Sequence, residues 1–294
     1  MKVVYSDRYE IPLPGHIWPT TKYRLIAGRL RSNPAVAFVE PPQASWEDLA
    51  LVHTAEYLAK LRDGTLTPGD IATMELPWVP GMADGFRLMV GGTIAAARAA
   101  NDDGCAAHLG GGLHHAFANH GEGFCPLNDV AVAVRVLQRD GLISRAAIVD
   151  LDVHHGNGTA MIFERDDTVF TFSMHQQLNY PFFKPAGDLD VGLENGAGDL
   201  RYNGLLGEAL PRVMASRPDL IVYLAGADPY ENDRLGGLRL TRAGLAERDR
   251  LVLGAARRAG VPLVTVLAGG YAADVTDTVD IHTATIEAML PADT

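Results

Sequence analysis

The sequence predicts an α/β fold, a three-layer sandwich in which helices cover both faces of a central, mostly parallel sheet. Apolar runs rich in β-branched residues alternate with segments of helical periodicity, and these runs are continuous instead of alternating with polar residues. Continuous apolar strands are typical of parallel sheets buried on both faces. No repeat, low-complexity tract or linker divides the chain, so we expect residues 1–294 to form a single domain.

The individual elements follow from local patterns. Helical periodicity occurs in the segments 20–30, 45–64 and 81–102, and strands are predicted at 146–152, 168–174, 219–228 and 261–270. Between the last two strands, 241–260 reads as a crossover helix. Thr241 is a suitable N-cap for it, and Gly260 a suitable C-terminal stop.

Composition and charge exclude several classes of protein. The chain is 47% hydrophobic and 21% charged, as globular proteins are, and has no apolar run long enough to cross a bilayer. A formal net charge of −11 argues against a broad nucleic-acid interface, which needs clusters of Lys and Arg. The N-terminus lacks the pattern of a signal peptide, so we expect a cytoplasmic protein. Only Cys105 and Cys125 occur, which leaves His, Asp and Glu to hold any metal.

Polar side chains follow the predicted strands, where parallel α/β sheets bind their ligands. Asp152 and His154 come at the end of one strand, and residues two apart on an extended segment point to the same face. Asp228 ends a second strand and could supply a third ligand. Three protein ligands with an open position suit a catalytic zinc site. Alternatively, Asp152 and His154 merely cap a helix that begins near Gly158.

The adjacent histidines His114 and His115 follow three glycines, which let the backbone run close to a bound group. Adjacent histidines alone are weak support for a site. A hydrolytic zinc site nevertheless needs a base that works near neutral pH, and histidine usually supplies it. Asp150 and Asn157 could then orient the two imidazole rings through hydrogen bonds.

Four motifs resemble, in order and spacing, those of the histone deacetylase superfamily. They are GGGLHHAFANHGEGFCPLNDVAVAV (110–134), VDLDVHHGNGT (149–159), LAGADPYENDRLGGL (224–238) and LAGGY (267–271). The segment 16–26 is similar to the family's opening segment, and 233–249 most resembles class IV histone deacetylases and bacterial histone deacetylase-like proteins. The resemblance implies the arginase/deacetylase fold and a zinc-dependent amidohydrolase.

The resemblance also implies two metal sites. Asp152, His154 and Asp228 would bind zinc, although His and carboxylate ligands accept Fe²⁺ as well. A structural K⁺ or Na⁺ would be held by Asp150, the hydroxyl of Ser173, and main-chain oxygens of Asp152 and His154.

The same resemblance implies the catalytic roles. His115 would be the general base and later the acid that protonates the leaving amine, with His114 as its electrostatic neighbour. Tyr271 would donate its hydroxyl to the carbonyl oxygen as that oxygen gains negative charge. Asp150 would support His114, and Asn157 would be the partner of His115. Because a neutral amide cannot stabilise an imidazolium as a carboxylate does, we predict a lower pKa for His115 than for His114.

The family's acyl tunnel is lined by aromatic residues, and Gly123, Phe124 and Phe183 match tunnel positions. Without the motif context, ordinary packing would be the favoured role of such loop aromatics. Leu235 matches a rim position at which polyamine deacetylases of the family carry Glu. Because a cationic polyamine lacks that partner here, an acylated lysine ranks above it as substrate.

The leading hypothesis is therefore a deacylase of Nε-acyl-lysine in a protein or peptide, with an acetyl or longer fatty acyl group. An acetylpolyamine or another small acylated amine is the alternative substrate. A binuclear manganese hydrolase is disfavoured, because His155 and Asn157 stand where bridging acids would be wanted. A catalytically silent acyl-lysine binding protein would be expected to have lost a ligand, a histidine of the pair or Tyr271, and all are present.

Overall fold

A central parallel sheet organises the structure, a computed structural model that describes residues 1–13 and 15–290; Pro14 and 291–294 of the predicted domain lie outside the described residues. The strands are β1 (Lys2–Val4), β2 (Ala37–Val39), β3 (Cys105–His108), β4 (Ala146–Asp150), β5 (Val169–Gln176), β6 (Leu189–Leu193), β7 (Leu220–Leu224) and β8 (Leu263–Val266). They form one eight-stranded sheet in the order β2-β1-β3-β8-β7-β4-β5-β6. Each neighbouring pair is parallel, which confirms the predicted sheet.

Helices pack in two layers around this sheet. They are α1 (Lys22–Leu30), α2 (Trp46–Leu49), α3 (Ala55–Asp63), α4 (Pro68–Met74), α5 (Met82–Asp103), α6 (Asp129–Arg139), α7 (Asn157–Phe163), α8 (Asp199–Ala215), α9 (Arg242–Ala259) and α10 (Val275–Met289). Helices α1, α8, α9 and α10 form one connected group, and α2, α5, α6 and α7 form another. Every residue of β4 and β7 is buried, so both faces of the sheet centre are covered. Within the described ranges, no helix combines the length and the apolar character needed to cross a bilayer.

Helix α9 begins and ends where the sequence predicts. The Thr241 hydroxyl accepts a hydrogen bond from the Gly244 N–H at 3.0 Å, as an N-cap does. Gly260 ends the helix in the left-handed conformation with φ of 65°, which glycine adopts without steric cost.

The predicted helical segment 45–64 forms two helices instead of one. Thr54 caps the second helix, α3, by accepting a hydrogen bond from the N–H of Tyr57. The chain breaks just before this cap because His53 is buried against distant segments. Its Nδ1 contacts the carbonyl oxygen of Phe117 at 3.1 Å, and its Nε2 accepts the N–H of Asn128 at 3.0 Å.

Candidate active site

The chemically active side chains meet beyond the carboxyl ends of β3, β8, β7 and β4, which are neighbours in the sheet. The histidine pair follows β3, Asp152 and His154 follow β4, Asp228 follows β7 and Tyr271 follows β8. Segments far apart in sequence therefore reach one edge of the sheet, the edge at which parallel α/β proteins bind ligands.

Asp152, His154 and Asp228 form a cluster that could hold a metal ion, and all three are buried. His154 Nδ1 lies 3.0 Å from Asp152 Oδ1 and 3.4 Å from Asp228 Oδ2. Ligand atoms of a tetrahedral zinc site with bonds of about 2.0–2.2 Å lie about 3.3–3.6 Å apart. The observed separations are close to that spacing. The three residues thus offer two carboxylate oxygens and one imidazole nitrogen, which are ligand types that zinc binds in proteins.

The electrostatics of this cluster also fit a cation. Burial and the neighbouring Asp152 carboxylate raise the pKa of Asp228. Asp228 Oδ2 is buried without a well-formed hydrogen bond among the described residues. Burial opposes protonation of His154, but the adjacent carboxylates of Asp152 and Asp228 raise its pKa to about 10. Two buried carboxylates attract positive charge, and a divalent ion supplies it.

The two histidines of the pair lie beside the cluster and have different partners. His114 Nδ1 contacts Asp150 Oδ2 at 2.6 Å, and His115 Nδ1 contacts Asn157 Oδ1 at 2.8 Å. Burial alone would lower the pKa of His114, but Asp150 and Asp152 raise it to about 9. Burial and the neighbouring His114 and His154 rings hold the pKa of His115 well below its usual range. The two values differ in the direction that the sequence predicts.

Glycines allow the loops that carry these groups to touch. A side chain at Gly269 would place its Cβ 1.9 Å from Asp228 Oδ2 and 2.7 Å from Asp152 Oδ2. The Gly269 N–H donates to Asp152 Oδ2 at 2.7 Å instead. Gly112, with φ of 80°, passes so close to Ala268 that a Cβ there would come within 2.6 Å of its backbone. The GGGL and LAGG loops are therefore in direct backbone contact next to the site.

A narrow cavity leads to the cluster. Its volume is about 170 Å³, smaller than the roughly 300–1,000 Å³ of typical drug-sized sites, so it suits one extended side chain. The predicted site residues His114, His115, Gly123, Phe124, Asp152, His154, Leu235 and Tyr271 all line it. Four further residues that no sequence pattern assigned to the site also line it: Trp18, Glu75, Asn179 and Tyr180.

The structure does not place Phe183 at the tunnel position expected from the sequence. This residue does not line the cavity, and its side chain is 57% exposed. Tyr180, three residues earlier, takes the wall position, with its ring 5.1 Å from that of His115 and perpendicular to it. The Tyr180 hydroxyl donates a hydrogen bond to Glu122 Oε1 at 3.2 Å, which stabilises the ring in this position. The aromatic character of the wall was predicted, but the residue was wrong.

Sequence patterns also missed the buried Lys22 and the acidic Glu122. Lys22 is fully buried in α1, where its Nζ donates to the Ala268 carbonyl oxygen at 3.0 Å, and burial lowers its pKa to about 8. A charged residue on the apolar face of an amphipathic helix was the available signal. Glu122 lies inside the GEGFC motif and accepts a hydrogen bond from Asn157 Nδ2 at 2.7 Å. No pattern in the sequence pairs these two residues.

The residues expected to hold a monovalent cation lie together. Asp150 and Ser173 are direct partners in the register of β4 and β5. Asp150 Oδ1 accepts the N–H of Asp152 at 3.2 Å, and the Ser173 hydroxyl contacts His175 Nδ1 at 3.0 Å. Asp150 and Ser173 are therefore neighbours across the two strands.

Known proteins are similar to this chain in sequence and in fold. A family model described as the histone deacetylase domain matches residues 16–286. An uncharacterized protein of Picosynechococcus sp. is 44% identical over 287 residues and covers 95% of each chain. Histone deacetylase 2 of Arabidopsis thaliana is 33% identical over 290 residues, 92% of this chain and 74% of its own.

A solved structure agrees at the level of the fold. The crystal structure of the HDA15 HD domain matches with a TM-score of 0.78 and covers 98% of this chain and 90% of that one, at 24% sequence identity. The family match extends over most of the chain and includes every segment that supplies a side chain to the cavity. The chain therefore belongs to the histone deacetylase family, a family of zinc-dependent hydrolases.

Proposed function

We propose that the protein is a deacylase that hydrolyses the amide of an acylated amine, with Nε-acyl-lysine in a protein or peptide as substrate. One observation carries the proposal: a cluster of three possible metal ligands lies at a narrow cavity, which two of those ligands, the histidine pair and a tyrosine line. Metal-assisted amide hydrolysis needs a metal, a proton acceptor and a hydrogen-bond donor for the carbonyl oxygen. We also propose that residues 1–294 act as one catalytic domain.

Asp152, His154 and Asp228 would hold the catalytic ion. When bound, zinc polarises the amide carbonyl and lowers the pKa of a water molecule. Fe²⁺ suits the same ligands. A K⁺ or Na⁺ between Asp150, Ser173 and the main chain that carries Asp152 and His154 would stabilise the loop that presents the ligands. Register pairing of Asp150 with Ser173 supports this second site.

His115 would act as general base and then as general acid. Its Nδ1 contacts the amide oxygen of Asn157, so Nε2 is free to take the proton of the attacking water. The water oxygen forms a bond to the carbonyl carbon. The carbon–nitrogen bond then breaks, its electron pair stays on the amine nitrogen, and His115 returns its proton there. His114, whose Nδ1 contacts the Asp150 carboxylate, would be the electrostatic neighbour of this ring, with the two ring centroids 4.1 Å apart.

Tyr271 would donate its hydroxyl to the carbonyl oxygen as negative charge develops. Burial raises the pKa of Tyr271 well above its usual range, so the phenol remains a proton donor at neutral pH. Its backbone N–H donates to Asp233 Oδ2 at 2.6 Å, which fixes the chain at this point. The centroid of the Phe124 ring lies 6.1 Å from that of the Tyr271 ring, and this contact limits the space in which the Tyr271 ring can move.

The shape of the cavity supports acyl-lysine as substrate. Aromatic side chains of Phe124 and Tyr180 line a passage suited to a thin aliphatic chain, and Leu235 places no charge at this position. A small acylated amine with a second cationic group is the second candidate, because the carboxylate-bearing Glu75 also lines the cavity. The Asp233 carboxylate, by contrast, already accepts hydrogen bonds from three backbone N–H groups.

The test is hydrolysis of a lysine peptide series from acetyl to long fatty acyl, with an acetylpolyamine in parallel, by zinc-loaded protein. We expect turnover of at least one peptide and a decrease of about 10²- to 10³-fold in kcat for Tyr271→Phe, as for loss of one oxyanion donor. The variant should retain its zinc stoichiometry and melting temperature, because it loses only one hydroxyl group.

Two other outcomes would redirect the proposal. Preference for the acetylpolyamine would favour the small-amine substrate. Absence of turnover on all substrates, with one equivalent of zinc bound, would support a silent acyl-lysine binding protein.

A further inference from the structure

The amide of Asn157 lies between the His115 ring and a carboxylate. Asn157 Oδ1 is 2.8 Å from His115 Nδ1, and Asn157 Nδ2 is 2.7 Å from Glu122 Oε1. His115 and Asn157 are buried, and Glu122 is partly buried. The three side chains thus form one continuous line of hydrogen bonds from the cavity wall to a carboxylate.

The chemistry of the three groups permits only one arrangement of protons. A carboxylate is an acceptor only, so the NH₂ group of Asn157 must face Glu122. The amide oxygen must then face His115, where it too can only accept. His115 Nδ1 must therefore carry a proton, and in the neutral ring Nε2 then carries the free lone pair. If the amide were flipped, its oxygen would face the Glu122 oxygen and its NH₂ would require a lone pair on Nδ1.

We propose that Glu122 is a positioning residue which, through the Asn157 amide, holds His115 in the tautomer whose Nε2 can accept a proton. This inference rests on the proposed function, since the tautomer matters only if His115 is the base. His114 is in direct contact with the carboxylate of Asp150. For His115 the corresponding carboxylate is that of Glu122, and the Asn157 amide lies between the two. The geometry thereby fixes the tautomer without bringing a carboxylate into contact with Nδ1 of the His115 ring.

The surroundings of Glu122 keep it ionised. Burial would raise the pKa of Glu122, but the nearby His120 ring and the hydrogen bonds from Asn157 and Tyr180 lower it below its usual range. The Tyr180 hydroxyl lies 3.2 Å from Oε1, and His120 Nε2 lies 3.6 Å from Oε2. A carboxylate that is ionised at neutral pH cannot become a donor to Asn157, so the amide stays in one orientation.

A purely structural role for Glu122 predicts different behaviour. In that case it would anchor Tyr180 and the GEGFC loop, and its loss would lower stability or weaken substrate binding. Control of the tautomer predicts instead a lower kcat with an unchanged KM and an altered protonation pattern of the His115 ring. These readouts separate the two roles.

The test is Glu122→Gln in the full-length, zinc-loaded protein, followed by ¹⁵N NMR of histidine side chains. Glutamine keeps the size of the side chain but has both a hydrogen-bond donor and an acceptor. Either orientation of the Asn157 amide can therefore form a hydrogen bond with it. We expect the wild-type His115 signal to report a proton on Nδ1 and the variant to populate the Nε2-protonated form. We also expect kcat to fall about 10- to 100-fold, the usual effect of removing an outer partner of a site histidine.

A second variant relocates the charge. In the double variant Glu122→Gln with Asn157→Asp, an acceptor-only carboxylate contacts His115 directly and the glutamine NH₂ contacts that carboxylate. The Nδ1-protonated tautomer should return, and kcat should recover towards the wild-type value. The control His120→Gln removes the contact to the other Glu122 oxygen and should keep the His115 signal and kcat within about twofold of wild type.

The inference is overturned if Glu122→Gln keeps the wild-type tautomer and kcat, or if the double variant is no better than the single one. The NMR signal needs no turnover. An inactive wild-type protein whose His115 tautomer still responds to Glu122→Gln would therefore contradict the proposed function and leave the hydrogen-bond control standing.

Discussion

The asymmetry of the histidine pair has two sources: nearby carboxylates raise the pKa of His114, whereas burial and the neighbouring His114 and His154 rings lower the pKa of His115. Asp150 is a carboxylate and favours the charged form of His114, whereas Asn157 is a neutral amide and fixes the orientation of His115 without charging it. Adjacent residues can thus differ greatly in proton affinity. The sequence predicted the direction of this difference from the partners Asp150 and Asn157 alone.

The side chain at position 235 is predicted to influence substrate choice. For Leu235→Glu, we expect the ratio of kcat/KM on an acetylpolyamine to kcat/KM on a neutral acetyl-lysine peptide to rise about two- to fivefold. The reason is that a partly exposed ion pair contributes at most about 1 kcal/mol. The fold should tolerate the change, because the backbone of Leu235 makes the local hydrogen bonds, to Asn179 and Asp233.

The matched control for this experiment is Leu235→Gln, which has the same length and no charge. It should leave the ratio near the wild-type value. An equal rise in both variants would mean that polarity or shape, and not charge, selects the substrate.

At the scale of elements, helix ends were easier to predict than interruptions. The cap of α9 depends on residues within one turn of it, so local sequence is enough to identify it. The break before α3 depends on His53 contacting Phe117 and Asn128, which are distant in sequence. Periodicity alone predicts one helix in place of α2 and α3, because both have apolar faces. The break between them comes from tertiary contacts that periodicity does not detect.

Two glycines on helices should respond to alanine in opposite directions. Gly260→Ala is expected to reduce the free energy of unfolding by about 1–2 kcal/mol, because a Cβ is strained at φ of 65° although nothing lies within 4 Å of it. Gly207→Ala, inside α8 with the same open surroundings, should raise it by about 0.5–1 kcal/mol, since alanine loses less entropy in a helix.

Urea unfolding of both variants measures these changes directly. Neither residue lies near the cavity, so kcat should stay at the wild-type value. Destabilisation by both substitutions would show that side-chain packing, and not backbone conformation, determines the response.

At the scale of the whole molecule, the order of strands assembles the site. The strands β3, β8, β7 and β4 are adjacent although their segments are spread from residue 105 to residue 266. Because all are parallel, their carboxyl ends lie at one edge, and four loops deliver their side chains to the same point. The site is thus a product of topology as much as of its motifs.

Metal removal should weaken the whole fold. Chelation of zinc leaves the buried carboxylates of Asp152 and Asp228 without a countercharge, so we expect a lower melting temperature that recovers on addition of zinc. At a free zinc concentration of about 100 times Kd, binding would add about 2.7 kcal/mol to the free energy of unfolding. Differential scanning fluorimetry with a chelator and with added zinc measures the shift.

The control is Asp228→Asn, which removes one ligand charge. Its melting temperature should respond little to zinc, and the metal-free variant should be at least as stable as the metal-free wild type, because one buried carboxylate is gone. Equal melting temperatures of the wild-type protein with and without bound zinc would contradict this coupling of metal and stability.

The sequence by itself determined the parallel α/β fold, the caps of α9, and the segments whose side chains meet at the sheet edge. These features depend on periodicity, on residues close in sequence and on ordered motifs. Only the tertiary structure decided that Tyr180 and not Phe183 forms the wall, and that Glu122 stands behind Asn157. Such pairings join loops that no local rule connects, because each loop takes its direction from contacts with distant parts of the chain.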